Sequence, residues 1–340
     1  MKAIRYHAYG PPEVLRIEDA DPPAVGPDDV LIRVHAASVN PLDWHNMRGE
    51  PYIARPMSGL TRPKHTALGA DLAGVVEAVG RDVTAFAPGD EVYGGCGLDL
   101  VPGTTGLAEY ACLKQDGMLL RKPAGLTFEQ AAAVPVAALT ALQALRDVAR
   151  LRRGHRVLVN GAAGGVGTFA VQIAKALGAA EVTGVCGTGN VELVRSIGAD
   201  HVLDYTKEDY TRAGRRYDVV LDLVANHGVL ANRRVLARRG VFVEGAPSKG
   251  LWIGPVIGMV KLAVMPRMTF FLSRNSREDL ALVSELIESG EVTPVIDRTY
   301  SLDDAAEAVR YLEQGHARGK VVVTVTPSRT DRRPREGSPR

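Results

Sequence analysis

Four glycines, Gly161, Gly164, Gly165 and Gly167, stand between a β-branched run at 156–159 and a helical apolar pattern at 168–178. Without a Cβ, such residues permit a tight turn, let the backbone approach a pyrophosphate and let the following helix sit close on its strand. The N–H groups and the positive dipole end at the helix start, with Val166 in the same turn, then face phosphate charge. The pattern predicts a dinucleotide-binding βα turn. About 20 residues further on, an NAD-selective site usually presents a carboxylate to the ribose 2′-hydroxyl. This chain reads Cys186-Gly187-Thr188-Gly189-Asn190 there, with no acid. A 2′-phosphate would meet no repulsion, so NADPH is expected in preference to NADH, with neutral hydrogen bonds from Thr188 and Asn190.

The elements that must hold such a turn are legible on both sides of it. Short strand patterns at 157–159, 181–185, 201–203, 218–223 and 241–243 alternate with helical ones, the sequence form of a doubly wound parallel sheet. Before them, residues 1–127 are punctuated by glycine and proline and carry β-type runs at 30–34, 74–79 and 90–93, which predicts a mainly antiparallel β domain. A long alanine- and leucine-rich helix is expected over 128–148. After about residue 271 come helical patterns at 278–289 and 302–313 and a strand at 320–325, expected to return to the first domain. The nucleotide domain, 128–270, is then an insertion between 1–127 and 271–326.

Composition narrows the class. The chain has 340 residues, 46% of them hydrophobic, enough for two cores. Its net charge of +2 is concentrated in the segment 327–340, which has five arginines against Asp331 and Glu336. The body is therefore near −1 and has no electrostatic footprint for nucleic acid. The tail itself reads as a disordered basic terminus. Three cysteines, Cys96, Cys112 and Cys186, lack the spacing of a disulfide framework or a thiolate zinc site. No run of about 20 apolar residues offers a membrane span, and the N-terminus lacks a signal peptide, so a cytoplasmic protein is expected.

Several separated motifs resemble one family. They are Val39-Asn40-Pro41-Leu42-Asp43, Gly69-Ala70-Asp71-Leu72-Ala73-Gly74, Pro88-Gly89-Asp90-Glu91-Val92, Gly106-Leu107-Ala108-Glu109-Tyr110, the glycine turn, and Arg318-Gly319-Lys320-Val321-Val322. Together they resemble the zinc-free quinone oxidoreductase (zeta-crystallin-like) branch of the medium-chain dehydrogenase/reductases. The resemblance implies an α/β protein with a GroES-like, mainly β catalytic domain, a Rossmann domain, a cleft between them and a homodimer. Zinc-dependent relatives place a cysteine where this chain has Asn40 and a histidine–acid pair at Ala70-Asp71. Catalytic zinc needs about three protein ligands, so no metal is expected.

Without a Lewis acid, alcohol oxidation is poorly served, because nothing evident stabilises an alkoxide. Hydride delivery to the β-carbon of a conjugated carbonyl places the developing charge on an enolate oxygen, which hydrogen-bond donors can stabilise. The resemblance points to Asn40 and Asp43 as site residues, with His45 where relatives carry a tyrosine. His45 is read either as a proton donor or as a cleft-lining or core histidine, Asp43 either as a catalytic group or as a structural partner in its turn. Tyr52 is a further candidate for the cleft. For the cofactor the resemblance adds Thr140, Tyr205, Asn275 and Lys320, with helical self-bonding as the plain alternative for Thr140. The strand ends add Val224, Gly245 and Ala246.

The expected function is NADPH-dependent reduction of a quinone or an α,β-unsaturated carbonyl, a small-molecule substrate. A biosynthetic reductase of enoyl thioesters or natural-product intermediates is the same-fold alternative, bearing on Arg55, Arg62 and Lys64. A non-catalytic nucleotide- or RNA-binding protein is the alternative from another class, resting on the arginine tail alone.

Overall fold

The computed structural model describes residues 1–50, 52, 55–95, 106–245 and 267–325. Cys96, Ala246 and the basic tail at 327–340 lie outside them. The strands of the first part are β1 (Lys2–Arg5), β2 (Arg16–Asp19), β3 (Asp29–Val39), β4 (Asp71–Val79), β5 (Glu91–Gly95), β6 (Tyr110–Lys114) and β7 (Leu119–Arg121). β3 is long and alternates buried and half-buried positions, as a strand covered on one face should. Short helices α1 (Pro41–Arg48) and α2 (Arg55–Ser58) follow it.

The second set of strands is β8 (Arg156–Asn160), β9 (Glu181–Cys186), β10 (His201–Asp204), β11 (Tyr217–Asp222), β12 (Leu236–Glu244) and β13 (Met268–Phe270). They form one six-stranded sheet in the order β10-β9-β8-β11-β12-β13, and every pairing in it is parallel. Val157, Leu158 and Val159 are fully buried, which explains their unbroken apolar run: the strand has a covered face on each side. All five expected strands are present, and β13 adds a sixth, too short to show a pattern of its own.

The last strands, β14 (Ile296–Ser301) and β15 (Lys320–Thr324), join the first part, giving the order β14-β15-β3-β4-β5-β7 with β6 also paired to β3. The helix expected over 128–148 is three pieces, α3 (Phe128–Ala132), α4 (Pro135–Gln143) and a π-helical turn at Ala144–Val148. Pro135 causes the break: it has no N–H to donate and its ring excludes the carbonyl four residues back, so it begins a helix instead of continuing one. The remaining helices are α5 (Gly165–Ala176), α6 (Val191–Ser196), α7 (Val229–Val235), α8 (Arg277–Glu288) and α9 (Ala305–Glu313). Leu280 and Val283 of α8 share a core with Val157 and Val159, while Ala305, Ala308 and Val309 of α9 pack with Val321 and Val39. The chain thus rejoins the first sheet at β14, which pairs parallel to β15 while the other pairings there are antiparallel, with α8 still in the core of the all-parallel sheet.

Candidate active site

The glycine turn has the geometry its composition predicts. Gly161 has φ +87°, and the N–H groups of Gly161 and Ala162 both donate to Val185 O, at 3.2 and 3.0 Å. A Cβ on Gly167 would run into Gly161 O and Ala162, so α5 reaches its strand only with glycine there. Gly164 caps α5 without a side-chain hydrogen bond, and the first turn carries no acid. The leading N–H groups of a twelve-residue helix, with Val166 at its second position, are therefore presented to whatever binds above the turn.

Buried polar residues cluster where parallel strands end. Asn160, Asp204, Asp222 and Glu244 are the final residues of β8, β10, β11 and β12, and all are buried. Asp222 Oδ1 accepts from Asn160 Nδ2 at 2.8 Å and from the N–H groups of Val224 and Ala225 at 3.0 and 2.9 Å. Ala225 is thereby held at φ +56°, and Asn160 Nδ2 also donates to Asn226 Oδ1. This network shapes the loop bearing Val224 beside Gly161, since a Cβ on Gly161 would lie 2.9 Å from Val224 Cγ2. Gly245 donates to Asp222 O from the neighbouring strand end. Asn160 and Asp222 were not singled out from the sequence; polar residues closing apolar strand runs were the available signal.

At the end of β9 the structure revises the expectation. Thr188 Oγ1 donates to Asp204 Oδ2 at 2.6 Å, and Thr206 donates to Asp204 Oδ1 through its hydroxyl and its N–H. The Thr188 hydroxyl proton is therefore committed to Asp204 and not left for a ligand. An acid does stand at this place, contributed by the next strand; the Thr188 hydrogen bond, with help from Thr206 and Lys207, holds its carboxyl well below the ordinary range. Asn190 Oδ1 is buried with no hydrogen-bond partner. Tyr205 is exposed, its hydroxyl 3.1 Å from where a Cβ on Gly187 would lie. A basic residue reaches this loop from far along the chain: Arg318 Nη2 is 3.3 Å from the Cβ position of Gly189.

The other wall of the site is a buried polar network around Asp71, the first residue of β4. Asp71 Oδ2 accepts from Ser38 Oγ at 2.8 Å, Asn40 Nδ2 at 2.9 Å and Lys320 Nζ at 3.4 Å, while Oδ1 accepts from the N–H of Val136 at 2.9 Å. Lys320 Nζ donates more closely to Asn40 Oδ1, at 2.6 Å. Lys320 is 3% exposed, and burial pushes its ammonium below its ordinary value against the pull of Asp71. Asp43, at the third position of α1, accepts from the N–H groups of Asn40 at 2.7 Å and Gly69 at 2.9 Å. Burial pushes its carboxyl up to about 6 even so. Of the two readings of Asp43, these contacts fit the structural one: it holds the backbone that presents Asn40.

The remaining candidates fall into place around this core. His45 is half-buried in α1 and stacks on Trp44 with ring centroids 3.6 Å apart; its Nδ1 is buried without a partner. Burial holds its imidazole below the ordinary value, so it is neutral at neutral pH. Tyr52 is 68% exposed and rests on the Arg55 guanidinium, 4.5 Å from its ring centroid, with Tyr9 on the same guanidinium at 4.6 Å. Thr140 donates to Val136 O at 2.6 Å, the self-bonding alternative, and contacts Ser273 Oγ at 3.0 Å. Gln143 clamps the backbone of Arg274, beside Asn275, through both its amide atoms. Lys320, expected on the cofactor side, lays its stem there, with Cδ 3.1 Å from the Cβ position of Gly165, but aims its charge at Asn40 and Asp71.

Comparison with known proteins agrees with this architecture. Residues 26–124 match the model of the alcohol dehydrogenase GroES-like domain, and residues 197–323 that of the zinc-binding dehydrogenases. Over 334 residues the chain is 36% identical to 2-methylene-furan-3-one reductase of Solanum lycopersicum, covering 96% of this chain and 80% of that protein. It is 35% identical to the chloroplastic NADPH-dependent alkenal/one oxidoreductase of Arabidopsis thaliana, with the same coverage. The solved quinone oxidoreductase of Coxiella burnetii superposes with a TM-score of 0.83 at 33% identity, covering 96% of this chain and 99% of that one. Among the described residues no helix is long and apolar enough to cross a membrane, and no three His, Cys, Asp or Glu residues are grouped to hold a metal. The chain belongs to the medium-chain dehydrogenase/reductases, in their quinone oxidoreductase branch, and is an oxidoreductase.

Proposed function

We propose that the protein transfers a hydride from NADPH to quinones, giving hydroquinones, or to the β-carbon of α,β-unsaturated carbonyl compounds, with a proton completing the reduction. The observation that carries this reading is the Lys320 ammonium lodged between Asn40 and Asp71, beside the phosphate turn. The donor set is an amide, one carboxylate and an ammonium that already supplies the positive charge. A divalent cation placed among them would be repelled by Lys320 and would find neither thiolate nor imidazole. These residues do not fit zinc.

They do fit a dinucleotide. The turn at 161–167 has room where side chains would intrude, and the uncapped start of α5 awaits an anion. Arg318, with Tyr205 near the same loop, supplies the cation suited to a 2′-phosphate, and the Asp204 carboxylate is engaged by Thr188 and Thr206. A bound reduced nicotinamide supplies the hydride. Asn40 has two amide hydrogens, of which Asp71 takes one; the other is the donor we assign to the substrate carbonyl oxygen, where negative charge develops. His45 as a neutral imidazole is a hydrogen-bond donor in reserve, not a strong acid. A homodimer fits the edge position of β13 among the described residues and the exposed Phe270 and Leu272 next to it.

The test mixes purified protein with NADPH or NADH and a panel of quinones, enones and the matching saturated ketones. Conversion of quinones to hydroquinones and of enones to the saturated ketones, with preference for NADPH, is expected, with saturated ketones inert. Absence of NADPH binding in a fluorescence titration overturns the reading.

A further inference from the structure

Three consecutive residues, Arg318, Gly319 and Lys320, run along the whole length of the proposed cofactor site. Arg318 reaches the loop at Gly189, where the second parallel strand ends. The Lys320 stem and Gly319 O lie 3.1 and 3.4 Å from the Cβ position of Gly165, at the start of the phosphate-turn helix. The Lys320 ammonium ends on Asn40 and Asp71 in the substrate wall. The strap has no slack. Gly319 sits at φ +112°, where a Cβ would run into Val295 O, and the N–H of Lys320 donates to Val295 O at 2.8 Å.

Asn40 is held at both ends of its amide. Its Oδ1 accepts from Lys320 and its Nδ2 donates to Asp71, so the two amide ends cannot exchange without placing the NH2 group against the ammonium and the carbonyl oxygen against the carboxylate. Only one orientation of the amide is compatible with its neighbours. Asp71 is in turn fixed by Ser38 and by the N–H of Val136. The cation on Oδ1 and the carboxylate on Nδ2 together dictate which end of the amide is the donor.

We propose that Lys320 is a positioning residue that sets the donor end of Asn40 toward the substrate, its stem lying against the phosphate turn so that substrate wall and cofactor site stay in register. This rests on the reductase reading above. It assigns Lys320 to orientation of the acceptor carbonyl, not to phosphate binding, although it borders the phosphate turn.

Lys320→Met removes the charge and retains most of the stem. With the partner of Oδ1 gone and Asp71 alone left to hold the amide, kcat for enone reduction is expected to fall by up to about 100-fold, the scale of a misplaced catalytic group. The dissociation constant of NADPH, measured by fluorescence without any acceptor, should stay within about threefold, because the ammonium ends on Asn40 and Asp71 and the stem that borders the phosphate turn is largely retained. In the free protein the side-chain amide resonances of Asn40 should shift in Lys320→Met, a readout independent of turnover. Lys320→Arg, which keeps a charge opposite Asp71 but spreads it over a planar fork, should fall between the two in kcat. If Lys320→Met does not accumulate as folded protein, Lys320→Arg decides by the same pair of measurements. A raised NADPH dissociation constant with unchanged kcat makes Lys320 a phosphate ligand and overturns the proposal, as does a variant identical to the parent in both. A parent protein that neither binds NADPH nor reduces enones defeats the functional reading instead, whatever Lys320 does.

Discussion

Asp71 Oδ1 accepts a 2.9 Å hydrogen bond from the backbone N–H of Val136, joining the substrate wall to α4, whose Ala137, Leu139 and Leu142 lie in the core of the parallel sheet. The other oxygen of the same carboxylate takes Ser38, Asn40 and Lys320. One buried group thus aligns the end of β3 with the starts of β4, β15 and α4. Removing it strands a buried ammonium. Asp71→Ala should destabilise the protein by about 3–5 kcal/mol, the usual cost of breaking a buried pair from one side. Adding Lys320→Met to Asp71→Ala should recover part of that loss in a urea titration. A double variant less stable than Asp71→Ala alone would refute the idea that the unpaired charge is what destabilises.

Asp43 predicts a pH dependence of stability. Its folded-state value of about 6 lies above the ordinary 3.8, so the native protein binds the proton more readily than the unfolded chain does. The resulting stabilisation is complete below the unfolded value and is lost as pH rises through about 6. Asp43→Asn lacks this titration. Its melting temperature, plotted from pH 4 to pH 7, should fall less than that of the parent; parallel curves would exclude Asp43 as the source.

The phosphate turn separates two glycines by geometry. At Gly167 a Cβ would collide with the backbone of Gly161 and Ala162, whereas at Gly164 the nearest atom is 3.4 Å away and φ is −80°. Gly167→Ala should cost about 1–3 kcal/mol through overpacking and abolish measurable NADPH binding. Gly164→Ala should cost no more than about 1 kcal/mol, the scale of a changed N-cap, and still bind. Equal effects in a parallel thermal melt and binding titration would show that helix-to-strand approach does not set the requirement.

Arg318 predicts cofactor choice. A charge-assisted hydrogen bond contributes about 1.5–3 kcal/mol, so Arg318→Ala should weaken NADPH by about 10- to 100-fold and leave NADH almost unchanged. Calorimetric titration of both cofactors checks this. A variant that loses both equally would assign Arg318 to folding of its loop.

The local chemistry of this chain was legible in one dimension. Gly161 and Gly167 announce a turn because only glycine tolerates their backbone and contacts, and the apolar run at 157–159 announces a strand buried on both faces. Such features depend on neighbours a few residues away, so periodicity and turn chemistry report them directly. Pro135 was equally present in the sequence, yet the alanine-rich pattern around it concealed the break it makes between α3 and α4.

Contacts across hundreds of residues were not legible. Nothing in the loop at 187–190 indicates that its cation is Arg318 or that Thr188 is claimed by Asp204, because each partner belongs to another strand and is brought there by sheet order. The family resemblance alone assigns Lys320 to the cofactor. Folding aims its charge instead at Asn40, because β15 pairs with β3 and the buried ammonium must find the nearest carboxylate. The sequence by itself determined the glycine-rich βα turn and the buried strand that leads into it, which depend on neighbouring residues. The tertiary structure alone decided which buried charges meet, since their desolvation is offset only by partners that packing brings within a few ångströms.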